Sequence, residues 1–201
     1  MFSLPIKLLE GDSIPADAVV SIGIDQSLTG FGFTVLNIAE PKQFLTWVYK
    51  SPYFGIERLS DIRSWLSDTL IYCEKFWDIE DLGLEGTVLQ SHSALVLGEL
   101  SAVVRMAIFD HFDIDDADDA RKYPLKVPPM TLKKYASGKG NAKKQEMLMQ
   151  MYKRWGVEFN DDNAADSYGI ARLVAGIATD ATETAIVKQM LDAKYRDQPR
   201  F

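Results

Sequence analysis

The chain is poor in the residues that build zinc centres and disulfides: its 201 residues include one cysteine, Cys73, and two histidines, His92 and His111. One thiol cannot close an internal disulfide, so a reducing compartment, and with it a cytoplasmic location, is expected. So few thiolates and imidazoles leave no basis for a zinc site of the finger or ribbon kind. Any metal must be held by carboxylates, which favours Mg²⁺ or Mn²⁺. Long apolar runs are missing too. None approaches the ~20 residues needed to cross a bilayer, so no membrane partner is expected. The opening MFSLPIKLLEGDSIPAD has one lysine soon followed by acids and no small-residue cleavage site, which makes a poor secretory signal. Internal repeats and low-complexity tracts are absent.

What is present is a globular composition, 47% hydrophobic, with a net charge of −7 that is unevenly spread. From Arg121 to Arg154 there are ten Lys or Arg and one acid, Glu146, whereas Asp110 to Asp119 holds six Asp. Such asymmetry suits one phosphate-facing surface on an otherwise acidic body, although a solvated pair of basic helices would give the same count.

The hydrophobic pattern orders the elements. Ala18 to Asp25 (AVVSIGID) reads as a buried strand ending in an acid. Gly30 to Asn37 and Gln43 to Lys50 follow after short connections, which predicts an antiparallel meander. Ile56, Leu59, Ile62, Leu66, Leu70 and Cys73 recur at helical spacing to about Phe76. Asp81 to Glu85 is a second acid-ended strand, and Ser93 to Phe112 a helix apolar on more than one face, suited to the core or to a second subunit. Pro124 to Val127 reads as a strand and Thr131 to Ala136 as a short helix. A helix capped by Asn141 then runs to Trp155, one from Asp161–Asn163 to Ile177, and a last one from Ala181 to about Tyr195. This order predicts an α/β fold with a mixed five-stranded sheet flanked by helices. The expected divisions are an N-terminal arm (1–17), a main domain (18–180) and a C-terminal helix with tail (181–201).

Acids at the carboxyl ends of strands stand at the rim where α/β sheets bind ligands. Asp25 and Glu85 could share a metal there if their strands are neighbours. Asp166 lies among Ala164, Ala165, Gly169 and Ala171, where a helix can approach a sheet closely, with Asp162 and Asn163 one turn earlier. Each has a plainer reading, a turn former or an N-cap. The four tryptophans read as core, and the two histidines show no partner pattern.

The run Ile22-Gly23-Ile24-Asp25-Gln26-Ser27-Leu28-Thr29-Gly30-Phe31-Gly32 resembles the opening motif of RuvC-type Holliday-junction resolvases, in the RNase H-like superfamily. Leu84-Glu85-Gly86 followed by the Ser93–Glu99 run looks like their second motif, and Asn163-Ala164-Ala165-Asp166-Ser167-Tyr168-Gly169-Ile170-Ala171 resembles their last. The likeness spans residues 18 to 175 in order. It implies a metal-dependent endonuclease acting on four-way DNA junctions, with two Mg²⁺ or Mn²⁺ ions per site, working as a homodimer. Asp25, Glu85 and Asp166 would be metal ligands. The sequence departs at the fourth ligand, where the pattern's Asp is Asn163, and Asp162 is then the better acid. Gln26 replaces a usual Pro, and Val88 stands where an aromatic often probes the junction. Lys133, Lys134, Lys139, Lys143 and Lys144 would contact phosphates, with Lys139 or Lys143 near the scissile group and Gly138 and Gly140 giving the backbone close approach. A flap, branched-DNA or RNA–DNA hybrid nuclease, or a non-catalytic DNA-binding subunit, remains open as an alternative. A sugar-kinase-like or chaperone-like ATPase shares the opening strand pair but needs a longer chain. Compact size and divergence suggest a phage or mobile-element origin.

Overall fold

A computed structural model describes residues 14–86, 94–112 and 123–192. Its elements are β1 (Val19–Asp25), β2 (Phe31–Asn37), β3 (Phe44–Tyr49), α1 (Gly55–Glu74), β4 (Asp78–Glu85), α2 (Ala94–Phe112), β5 (Leu125–Val127), α3 (Pro129–Ser137), α4 (Lys144–Trp155), α5 (Asp162–Val174) and α6 (Ala181–Met190). The sheet is five-stranded with order β3-β2-β1-β4-β5. β1, β2 and β3 form the expected antiparallel meander, while β4 pairs parallel to β1 and β5 parallel to β4. The carboxyl ends of β1, β3, β4 and β5 therefore share one edge.

Period-two alternation sorts the two faces. Val20, Ile22 and Ile24 of β1, Phe31, Phe33 and Val35 of β2, and Ile79, Leu82 and Leu84 of β4 pack with α1 and α2 in one core. The residues between them, Ser21, Gly23 and Asp25, Gly32 and Thr34, Gly83 and Glu85, turn to the opposite face, where α5 lies. That face is built from small and polar groups, so α5 sits unusually close. A Cβ on Gly23 would stand 2.1 Å from the Ser167 carbonyl oxygen, and one on Gly32 2.4 Å from that of Asn163. Hydrogen bonds fasten the contact: Ser21 Oγ donates to the Ala171 carbonyl at 2.9 Å, and the Thr34 and Ser167 hydroxyls pair at 2.8 Å. A second core outside α5 gathers α3, α4 and α6 around Tyr135, Met151, Trp155 and Tyr168.

Several local expectations change. Ile56 is 77% exposed, so the buried stripe of α1 begins at Leu59. β4 starts at Asp78, earlier than Asp81, because Val19 and Val20 offer it partners. Pro129 opens α3 from its first turn, where a missing N–H costs nothing. Asn141 does not cap α4: the helix begins only at Lys144, and its N-cap position, Lys143, makes no side-chain cap. Gly138 ends α3 with φ of 81°, so its role is the left-handed helix stop. Helix α5 closes at Val174, short of Ile177. Most of the arm and tail, residues 87–93 with Val88 and His92, and all the acids between 113 and 122 lie outside the described residues. Trp77 and Trp155 are buried, and Trp47 and Trp65 pack against the core.

Candidate metal and nucleic-acid site

Backbone pairing of β1 with β4 runs to Ile24↔Leu84, so the next residues, Asp25 and Glu85, emerge side by side at the shared edge. Helix α5 crosses just above them on its glycine floor and brings in Asp166. The structure thus gathers the three acids named from the sequence. Asp161 takes the capping duty at α5, accepting from the backbone N–H groups of Asn163 (2.8 Å) and Ala164 (3.2 Å). This leaves Asp162 and Asn163 available for other contacts, and they part company. Asp162 lines the cleft beside Asp166, whereas the Asn163 amide packs over Gly30, where a Cβ would meet its Nδ2 at 2.7 Å.

The cleft encloses about 190 Å³ and is lined by Glu85, Asp162, Asp166, Lys133 and Lys144, with Met147 and Leu148 as an apolar wall. Asp25 is not part of that lining; it is buried beside Glu85 at 4% exposure. Burial, then the charges of Glu85 and Asp166, push its pKa up to about 9. Asp166 is raised to about 7, first by burial and then by Glu85 and Asp162, with Lys144 and Lys133 opposing. Glu85 is raised as well, mainly by burial. The Asp25 and Glu85 carboxyl groups share a hydrogen bond, which requires a proton on one of them. Asp162 behaves differently: its ion pair with Lys144 holds it below the ordinary carboxylate value.

Crowded acids with raised pKa values suit a hard divalent cation in donor type and in charge, because the cation would relieve the repulsion that now demands protons. The ligand sphere is not closed, however: no group of three or more carboxylate, imidazole or thiolate side chains among the described residues stands in metal-holding geometry. Asp162 is turned to Lys144 instead.

Of the five lysines singled out, Lys133 and Lys144 line the cleft. Lys139 pairs at 2.9 Å with Glu146 on the surface, and Lys134 and Lys143 are exposed outside the cleft lining. Arg154 leaves the phosphate-facing group altogether: it donates to the Tyr135 carbonyl at 2.8 Å and pairs with the fully buried Glu183 at 2.7 Å, tying α4 to α6. Sequence reasoning missed the part played by Gln26. Its Nε2 donates to the Glu85 backbone carbonyl at 2.8 Å, clasping β1 to β4 one step beyond their last pair. A proline could not make that bond.

Neither a family model nor a curated protein matches the sequence. Solved structures do. Thermus thermophilus RuvC superposes with a TM-score of 0.57 at 20% identity, over 88% of this chain and 98% of that one. The fold is that of the RuvC-type resolvases. T. thermophilus RuvC in complex with a Holliday junction substrate matches at TM-score 0.56 and 21% identity, over 76% of this chain and 90% of that one. The yeast mitochondrial Holliday junction resolvase Ydc2 matches at 0.51 and 18%, over 89% and 84%. Identities this low speak for the architecture alone. Among the described residues no helix is long and apolar enough to cross a membrane.

Proposed function

We propose that this chain is a divalent-metal-dependent endodeoxyribonuclease that resolves four-way DNA junctions by paired symmetric nicks. The observation that carries the reading is the set of crowded, raised-pKa acids, Asp25, Glu85 and Asp166, at the carboxyl edge of a RuvC-type sheet, flanked by Lys133 and Lys144. Asp25, Glu85 and Asp166 would hold Mg²⁺ or Mn²⁺, with Asp162 joining once it leaves Lys144; Asn163, packed over Gly30, is the weaker candidate. Two bound cations would supply activation of the attacking water and neutralisation of charge on the leaving oxygen.

The chain's own groups have distinct tasks. Gln26 and the glycine floor under α5 fix the spacing of the acids. Lys133 and Lys144 offer ammonium groups to the phosphates beside the scissile bond, and the exposed Lys134, Lys139 and Lys143 extend that surface. Met147 and Leu148 limit water access on one wall. Two cuts need two sites, and a two-fold dimer through α2 supplies them, since Leu95, Val96 and Met106 are exposed along that helix. Cytoplasmic action on branched DNA in a bacterial or phage-infected cell fits this reading.

The test is cleavage of a synthetic four-way junction in Mg²⁺ or Mn²⁺, with duplex, flap and RNA–DNA hybrid alongside. Symmetric nicks on the junction, lost in Asp25→Asn, support the proposal. Cutting confined to flaps or hybrids changes the substrate, and junction binding without cutting in either metal overturns the nuclease reading.

A further inference from the structure

We propose that the turn joining β3 to α1, with Phe54 at its tip, is a stacking platform for unpaired bases of the nucleic-acid substrate. This inference rests on the nuclease reading and adds to it a second contact surface. Within four residues the turn exposes three large side chains: Tyr53 is 48%, Phe54 78% and Ile56 77% exposed. Elsewhere the described surface shows such residues singly or spread along helix faces, which needs no explanation. The tip is also braced. Arg58 Nε donates to the Tyr53 carbonyl at 2.7 Å, and its guanidinium lies 4.9 Å from the centre of the Phe54 ring. Gly55 turns the chain with φ of 54°, and a Cβ there would meet open space. The ring is held outward by its own neighbours rather than by the core.

Its place on the fold decides what it can meet. Tyr49, the last residue of β3, pairs with Phe31, and Gly32 beside it pairs with Asp25. The turn therefore leaves the sheet on the same edge as the acids, two strand spacings away, or about 10 Å. Five more residues reach at most ~18 Å further. Phe54 is therefore no more than ~28 Å from Asp25, on the same edge of the sheet, a separation that a DNA strand leaving the acids can span.

The occupant follows from chemistry. A regular duplex shows phosphates and sugars outside and offers an aromatic ring nothing to stack on. Unpaired bases at a branch or in a single strand present π-faces, and stacking on them tolerates any sequence. Arg58 lies behind the ring as a cation, with the exposed Glu57 next to it in sequence. A protein partner fits less well, because stable interfaces bury roughly 800 Å² per side and this tip offers three side chains.

The experiment uses a four-way junction with 2-aminopurine at the branch, in Ca²⁺ to separate binding from cutting, and then Mg²⁺ kinetics. Phe54→Ala should weaken junction binding and raise KM by roughly 5- to 150-fold, the worth of one base–aromatic stack. The branch fluorescence change should disappear, with kcat, duplex affinity and thermal unfolding unchanged. Phe54→Trp should restore binding and signal. Wild-type affinity and fluorescence in Phe54→Ala would overturn the platform while leaving the nuclease intact. A lowered association state in Phe54→Ala would give the surface to a second copy of the chain and overturn it as well. A wild-type protein that binds no nucleic acid would overturn the nuclease reading together with this one.

Discussion

Replacing Asp25 by Asn should stabilise the metal-free protein while removing the proposed nuclease activity. Asp25 is an acid whose folded pKa is pushed up to about 9, against 3.8 when free. A raised acid takes up a proton on folding. Its full stability is present only below pH ~4 and is lost as pH rises toward 9, at about 1.4 kcal/mol per unit. Between pH 4 and pH 7 that gives an upper figure near 4 kcal/mol; side-chain relaxation and water at the rim reduce it to about 2–4 kcal/mol. Asp166, raised to about 7, adds a second slope of the same sign over pH 4–7. Asn keeps the shape, donates the hydrogen bond to Glu85 that the shared proton now provides, and needs no proton. For a chain of this size the gain corresponds to a melting temperature higher by roughly 5–15 °C at pH 7–8, shrinking to nothing near pH 4. Differential scanning fluorimetry of wild type and Asp25→Asn in EDTA, from pH 4 to 9, reads this directly. Added Mg²⁺ should raise the wild-type midpoint and leave that of the variant unchanged. A variant that melts at or below wild type at pH 8, or whose advantage is the same at pH 4 and pH 8, would refute the claim that burial, with the neighbouring acids, raises these pKa values.

Gly23→Ala places a methyl 2.1 Å from the Ser167 carbonyl oxygen and 2.4 Å from the Ala171 amide nitrogen, both backbone, so α5 must lift. Urea unfolding should show a loss of about 1–3 kcal/mol or more, and Asp166 moves with the helix, so Mn²⁺ binding should weaken too. Lys144→Ala removes the partner of Asp162, whose side chain is 38% exposed, so thermal stability should hardly change. DNA binding should weaken, and the slope of log K against log salt should become shallower by about one. Gln26→Ala loses the bond to the Glu85 carbonyl, worth about 0.5–1.5 kcal/mol, and should loosen Mn²⁺ binding measured by titration calorimetry. Unchanged Mn²⁺ affinity would show that the clasp does not set the spacing of the acids.

How much of this was legible beforehand differs by layer, and the reason is physical. The short apolar runs ending in an acid, AVVSIGID and DLGLE, carried the strands, and short connections between the first three carried the meander, because both signals are local. The strand-end acids were legible for the same reason: a residue's place along a strand fixes which face and which edge it reaches. The small residues of α5 foretold close packing, and the glycines that receive it, Gly23, Gly32 and Gly83, turn to the same face of the sheet. Pairings between distant charges were not legible. Nothing local tells that Arg154 spends its guanidinium on Glu183, twenty-nine residues on, or that Lys144 rather than Lys139 reaches the acids, since both choices depend on where α4 and α6 dock. The basic count of residues 121–154 therefore includes Arg154, whose guanidinium is turned inward.

The exchange at Gln26 and the mismatch at Asn163 point the same way. A chain that followed the resolvase pattern would have Pro after Asp25 and Asp three residues before Asp166. Here the Asn163 amide is spent on packing over Gly30, and Asp162 takes the place beside Asp166 in the cleft, already neutralised by a lysine. Moving an acid from one helix position to its neighbour swings it by about 100° around the axis, so the two substitutes cannot reach the same point in the cleft. An acid paired with a cation ligates a metal more strongly once another anion takes the lysine, and a DNA phosphate is such an anion. Metal affinity measured at Asp162 should accordingly rise when a non-cleavable junction is bound, and Asp162→Asn should abolish that rise without lowering the affinity of the DNA-free protein. Equal losses with and without DNA would mean that Asp162 is an ordinary standing ligand, and the ion pair with Lys144 would then play no part in assembling the site.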